Sequence, residues 1–233
     1  EIKKLVKEEP LGGIIVLATE AETQDLKIFD KLNVPVVVLD SYFRDAKYDT
    51  VVINNMQGSY QGTCYLLEKG HTSIGYLCGS IRINNFEERK DGFFKALKDH
   101  NIEWNEKLAY PLEPTMEGAY RDMARILETG YKLPTAFFSD NDIIACGAMK
   151  AFKEKGLRIP EDLSIVGFDD MPFSKIIDPA LTTIKVYKQS MGRLAVKRLI
   201  ERIEGDCEAF VKAEVNTELV ERKSVLKKER KDG

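Results

Sequence analysis

Ala136-Phe137-Phe138-Ser139-Asp140-Asn141-Asp142 opens a stretch that continues as a helix-period segment to Gly156 and reaches Leu163-Ser164-Ile165-Val166-Gly167-Phe168-Asp169-Asp170. Both apolar runs are short, built from aromatic or β-branched residues, and closed by polar ones, as buried strands are. The segment between them is long enough for a helix. It ends on glycine, which readily takes the left-handed conformation after a last helical turn. Strand, helix, strand, with each strand apolar on successive residues and so on both faces, is the repeating unit of a parallel sheet covered by helices.

The same alternation extends outward from this unit. Upstream, Ser73 to Gly79 reads as a strand, and Phe86 to His100 as a helix burying Phe93, Phe94 and Leu97. Ala119 to Gly130 reads as a helix carrying Met123, Ile126 and Leu127. Gly58 to Lys69 is a helix with Tyr65, Leu66 and Leu67 turned inward, closed by Gly70. Ile14-Ile15-Val16-Leu17, after Gly12-Gly13, is expected to be a buried strand, followed by helical spacing from Thr23 to Leu32. Val36 to Leu39, ending at Asp40, and Val51 to Ile53 are further strands. Downstream, Leu181 to Val186 is a strand and Met191 to Gly205 a long helix. The fold class is α/β with parallel sheets.

Composition narrows the function. The 233 residues are 43% hydrophobic and 31% charged, with a formal net charge of −3. That balance argues against a segment that grips a polyphosphate by itself. No run approaches the roughly 18 apolar residues of a membrane span. The opening, Glu1 to Pro10, is a charged amphipathic run without the apolar centre of a signal peptide, which points to the cytoplasm. The four cysteines, Cys64, Cys78, Cys146 and Cys207, are far apart and suit reduced structural thiols. With two histidines, His71 and His100, a His-based metal site or catalytic triad has little to work with, and neither metal nor cofactor is expected. His71 follows a helix-capping glycine and reads as structural. Gly58-Ser59-Tyr60-Gln61-Gly62 imitates a nucleophile elbow, but its serine stands second where the elbow needs it third. No Gly-Lys-Ser/Thr phosphate loop is present.

Open parallel sheets bind ligands beyond the carboxyl ends of their strands. The residues there are Asp40-Ser41-Tyr42, Asn54-Asn55, Gly79-Ser80, Ser139-Asp140-Asn141-Asp142 and Asp169-Asp170. Carboxylates and amides suit hydroxyl groups better than phosphates, since each can satisfy paired donors and acceptors in one plane. Asp40 ends a strand, where a turn role is equally open. Asn85 and Phe86 lie just before Arg89; Phe86 could stack on a sugar face, although a core aromatic is the commoner fate. Tyr42 and Tyr187 are weaker candidates of the same kind.

Several strings together resemble the effector-binding domain of the LacI/GalR repressor family. They are Val166-Gly167-Phe168-Asp169-Asp170 followed by Pro179-Ala180-Leu181-Thr182-Thr183-Ile184, and before them Gly156-Leu157-Arg158-Ile159-Pro160-Glu161-Asp162-Leu163. Pro134 to Asp142 with Ala145-Cys146-Gly147-Ala148, Gly70 to Gly75, Arg89-Lys90-Asp91-Gly92-Phe93 and Leu219 to Ser224 match in order. The resemblance implies two Rossmann-like lobes of the periplasmic-binding-protein-like type I fold. Residues 1–53 plus about 187–213 would form an N-terminal lobe, 54–186 plus about 214–224 a C-terminal lobe, and 225–233 a charged tail. It further implies a helix-turn-helix head, a hinge and two βα units ahead of Gly12-Gly13. These are not read here, so the first lobe is expected to be incomplete.

By the same resemblance, Arg89, Asn141 and Asp169 hold the effector, a sugar, sugar derivative or nucleobase, in a cleft between lobes. Asp142 is left to cap its helix and Asp170 to a structural role. A homodimer that meets operator DNA through the head is the implied assembly. A ligand that favours the closed lobes couples to DNA by about 1–3 kcal/mol. The competing readings are a periplasmic sugar-binding protein of the same fold, and an enzyme on a doubly wound sheet.

Overall fold

A computed structural model describes residues 11–32, 34–43, 47–130 and 132–228. The amphipathic run Glu1 to Pro10 and the last five residues of the charged tail lie outside them. The chain divides into two compact units and passes between them at 54/55, 82/83, 85/86, 186/187 and 216/217.

The first unit takes the described residues up to Asn54, then Ile83–Asn85 and Tyr187–Asn216. Its sheet is built of β1 (Ile14–Leu17), β2 (Val36–Leu39), β3 (Asp49–Ile53) and β9 (Lys212–Val215), in that order and all parallel. Helix α6 (Lys188–Glu204) packs on this sheet, with Met191 and Ala195 buried. Gly205 ends it at φ 81°, a left-handed cap. The β2 and β3 strands are buried residue after residue, as a covered parallel sheet requires. The β1 strand corrects the expectation of full burial. It lies at the sheet edge, and its residues alternate, with Ile15 36% and Leu17 69% exposed. The helical stretch from Thr23 also breaks up, into one turn of α1 (Thr23–Leu26) and a 3-10 turn (Phe29–Lys31). The spacing of Leu26 and Phe29 still serves burial, since both join the core cluster with Val36, Val38 and Phe43.

The second unit takes Asn55–Arg82, Phe86–Val186 and the described residues from Thr217. It contains α2 (Asn55–Glu68), β4 (Ile74–Gly79), most of α3 (Asn84–Asp99), β5 (Ala109–Leu112) and α4 (Met116–Glu128). These are followed by β6 (Ala136–Ser139), α5 (Asp142–Glu154), β7 (Ser164–Asp169), β8 (Thr182–Lys185) and β10 (Glu218–Val220). Strand order is β10-β8-β7-β6-β4-β5, parallel except for β10, which runs antiparallel to β8. Strands β5, β9 and β10 are not legible in the sequence; β5 carries a proline, β9 shows half-exposed, charged alternation, and β10 is only three residues long.

Tyr76, Phe93, Phe137, Phe138 and Phe152 stand at the centre of the core, with Phe93 edge-on to Trp104 at 5.3 Å. Leu67, expected inside, is only half-buried. His71 joins two distant segments, its ring nitrogens each 3.0 Å from Thr135 Oγ1 and the Leu226 carbonyl. Strand order reverses at β4: β5 lies on one side, and β6, β7 and β8 follow on the other. A reversal of this kind opens a crevice at the strands' carboxyl ends.

Candidate functional site

At the switch point of the second unit, Asp140 follows β6 and its carboxylate reaches across to β4. Oδ2 accepts the Gly79 N–H at 2.7 Å, and Oδ1 accepts the Tyr76 hydroxyl. The side chain is 1% exposed. Burial pushes its carboxyl up to about 7, against the opposing pull of the Tyr76 and Gly79 hydrogen bonds and the Arg89 charge. The Tyr76 phenol is pushed well up in turn, by burial and then by the neighbouring carboxylate.

Arg89 projects from α3 into the same place and is 3% exposed. Nε donates to Asn55 Oδ1 at 2.9 Å, Nη1 to the Asp140 carbonyl at 2.5 Å, and Nη2 to Asp169 Oδ1 at 3.3 Å. Its guanidinium carbon stands 3.8 Å from the centre of the Phe168 ring, close enough for a cation–π contact. Asn55 is itself held, donating to Glu88 Oε2 at 2.9 Å. Arg89 therefore sits in one orientation, fixed from α2, β6 and β7, and with Asp169 as its acidic neighbour.

Asp169 ends β7 at φ 106° and Asp170 follows at φ 49°, both in the region that side chains rarely adopt. Asp170 is tied away from Arg89: it takes a 2.5 Å ion pair from Arg222, which also donates to the Leu181 carbonyl at 2.8 Å. Asn141 is the N-cap of α5, its Oδ1 accepting the Ile144 N–H at 2.9 Å. This corrects the assignment of the cap to Asp142. Asp142 points inward instead, fully buried, and accepts from Met171 N at 2.8 Å, Ser174 Oγ at 2.5 Å and Thr183 Oγ1 at 2.5 Å. Burial lifts its carboxyl to about 6 in spite of those three bonds. An inward turn wins because Asp142 meets three donors there, whereas a cap has one or two N–H groups to satisfy. Phe86 is 8% exposed and lies over Gly79, where an added Cβ would meet its ring at 2.3 Å.

The first unit holds the remaining candidates. Asp40, at φ 66°, accepts Thr19 Oγ1 at 2.6 Å and Asn85 Nδ2 at 3.2 Å. Asn85 is 5% exposed. Tyr187 stands at the N-cap position of α6 and is 36% exposed. Within the second unit, then, Arg89 and Asp169 meet directly, with Asn141 one residue beyond the carbonyl that Arg89 grips. Within the first, Asp40 and Asn85 meet. Asn55 and Asp140 belong to the Arg89 cluster and were passed over in the sequence, although both stood in the polar strings after strands. Among the described residues no group of three or more His, Cys, Asp or Glu side chains is placed to hold a metal. No described helix is long and apolar enough to cross a membrane.

Comparison with known proteins places this arrangement in a family. Residues 63–225 match the model of the periplasmic binding protein-like domain. The HTH-type transcriptional repressor PurR of Actinobacillus pleuropneumoniae serotype 3 (strain JL03) is 36% identical over 217 residues, 92% of this chain and 64% of that protein. The chain thus spans just under two thirds of that relative's length. A LacI family transcriptional regulator from Enterococcus faecium, solved with bound ribose, superposes with a TM-score of 0.86 at 26% identity, covering 97% of this chain and 84% of that one. The transcriptional regulator CelR in complex with cellobiose gives 0.87 at 25% identity, covering 96% and 68%. The family model and these matches agree with the fold: the chain belongs to the periplasmic binding protein-like domain family, as an effector-binding domain of the LacI/GalR type.

Proposed function

We propose that this domain senses a small metabolite, a sugar, sugar derivative or nucleobase, and performs no reaction on it. The whole protein would carry that signal to operator DNA through a DNA-binding head, as a cytoplasmic homodimer. The observation that carries this reading is Arg89: a guanidinium 3% exposed, laid on Phe168 and shared among Asn55, Asp140 and Asp169. An arginine fixed in this way is preorganised, so few of its rotamers remain to be lost on binding. Its charge is opposed by Asp169 at 3.3 Å, so the pair suits a neutral polar ligand, with donors on one side and a carboxylate acceptor on the other.

Asn141, which also caps α5, would add an amide, and Phe86 an aromatic edge. The first unit's own polar pair, Asp40 with Asn85, and its exposed Tyr187 suit the same hydroxyl chemistry. The ribose and cellobiose held by the two solved relatives, and the repressor role of the curated one, support the same class of ligand and output. They also disfavour the periplasmic carrier.

A thermal-shift screen against pentoses, hexoses, disaccharides, nucleosides and purine bases tests the reading. One ligand at a hundredfold excess over its Kd stabilises by about 2.7 kcal/mol. Arg89→Ala and Asp169→Ala should each abolish that shift. A ligand that shifts both variants as it shifts the parent protein would refute the assignment, and turnover of the bound compound would refute the non-catalytic reading.

A further inference from the structure

Asp142 is a buried carboxylate outside the set of groups just assigned to the ligand, yet it touches three segments besides its own helix. It starts α5, accepts Thr183 Oγ1 from β8, and accepts Met171 N and Ser174 Oγ from the loop after β7. It also fills the space that Gly167 of β7 leaves open, since a Cβ there would meet Asp142 Oδ1 at 2.2 Å. Asp169 and Asp170, just before Met171, are both left-handed. Non-glycine residues in that conformation cost about 1–3 kcal/mol each and persist only where the surroundings over-determine them. Asp170 has its own clamp in Arg222. On the other side of the strained pair, the bond from Met171 N to Asp142 is a charge-assisted one, the stronger kind.

We propose that Asp142 is the positioning residue of the candidate site, holding the loop after β7 so that Asp169 stays beside Arg89. This rests on the reading of Arg89 and Asp169 as ligand groups only for its functional consequence; the positioning itself can be measured without a ligand. Asparagine at 142 keeps the shape of the carboxylate and can keep all three contacts. Its oxygen still accepts from Met171 N and Ser174, while its NH2 group donates to Thr183 Oγ1, which turns from donor to acceptor. Alanine keeps none.

The test is amide and arginine-side-chain hydrogen exchange by NMR on the full chain, for the parent protein, Asp142→Ala and Asp142→Asn. Thr183→Val and Ser174→Ala serve as milder probes that remove one donor each. In Asp142→Ala, protection of the Met171 amide and of Arg89 Nε–H should fall roughly tenfold or more, while the β4 and β6 amides keep theirs. Asp142→Asn should restore most of the loss, and each milder probe should loosen the same segment to a smaller extent. Unchanged exchange at Met171 and Arg89 in Asp142→Ala would overturn the proposal. So would a uniform loss across β4 and β6, which marks a general structural role. Should Asp142→Ala fail to fold, unchanged exchange in both Thr183→Val and Ser174→Ala overturns it equally. Failure of the ligand screen would leave these outcomes intact, so the two readings fall separately.

Discussion

Replacing Asp140 by asparagine isolates a pH-dependent cost inside the second unit. The carboxyl is 1% exposed, and burial lifts it from 3.8 to about 7. Below 3.8 the group is protonated in folded and unfolded chains alike and contributes no difference. As pH rises past 3.8 the unfolded chain ionises while the folded chain holds its proton, so stability falls. Above about 7 both are ionised, and the loss levels off. At about 1.36 kcal/mol per pKa unit, that displacement is worth about 4 kcal/mol between pH 4 and pH 8.

Asparagine is nearly the same shape and can accept the Gly79 N–H while donating to Tyr76 Oη, so the local geometry has a neutral equivalent. The assay is urea unfolding followed by Trp104, the chain's single tryptophan, which packs on Phe93 and Phe94 and so reports on this unit. The stability of Asp140→Asn minus that of the parent should grow by about 4 kcal/mol from pH 4 to pH 8, or on the order of 10 °C in melting temperature. Other titrating groups cancel in the difference. A difference independent of pH, or one that grows toward acid, would refute the argument that burial dominates over Arg89 and the two hydrogen bonds.

Three further outcomes are expected. Asp49 is fully buried in the first unit; burial raises its carboxyl, but the hydrogen bonds of Arg202 and Arg198 win and hold it below the usual range. Asp49→Ala takes one partner from each arginine while Arg198 keeps Glu201 and Arg202 keeps the Cys207 and Ala209 carbonyls, so it should cost about 1.5–3 kcal/mol by calorimetry, and the parent pairing should weaken as pH falls through the carboxylate range. Asn141→Ala should cost about 1 kcal/mol from the lost α5 cap, and if Asn141 also binds, titration calorimetry will show an affinity loss larger than stability explains. Gly167→Ala drives a methyl toward the Asp142 carboxylate and should destabilise by about 1–3 kcal/mol in the Trp104 assay. A neutral result there would mean that the carboxylate can move aside, and would count against its positioning role.

What was legible in the sequence, and what was not, divides along one physical line. Buried parallel strands announce themselves, because both faces must be apolar; Val36 to Leu39 and Leu163 to Phe168 could be read without a neighbour in view. Edge strands have no such obligation. The exposed alternation of β9, and the half-exposed β1, depend on which neighbours they have, and periodicity carries no record of that. The site divides in the same way. Asp169 and Asn141 stand among the polar residues that close apolar runs, whereas Arg89 is picked out only by the family resemblance, and the choice between adjacent acids needs depth.

Asn141 and Asp142 are both good caps by residue type, and the sequence offered no way to tell them apart. What decides is that Thr183, Ser174 and Met171, 29 to 41 residues further on, all present donors to a single buried point. Meeting them requires a planar acceptor that can enter the core, and Gly167 leaves it room, since a Cβ there would meet the Asp142 carboxylate at 2.2 Å. The glycine and the aspartate are therefore one device written in two places. A glycine within an otherwise β-branched, buried strand is the mark by which such a carboxylate could be sought in other sheets, since a strand gives up a side chain there only where another group needs the room.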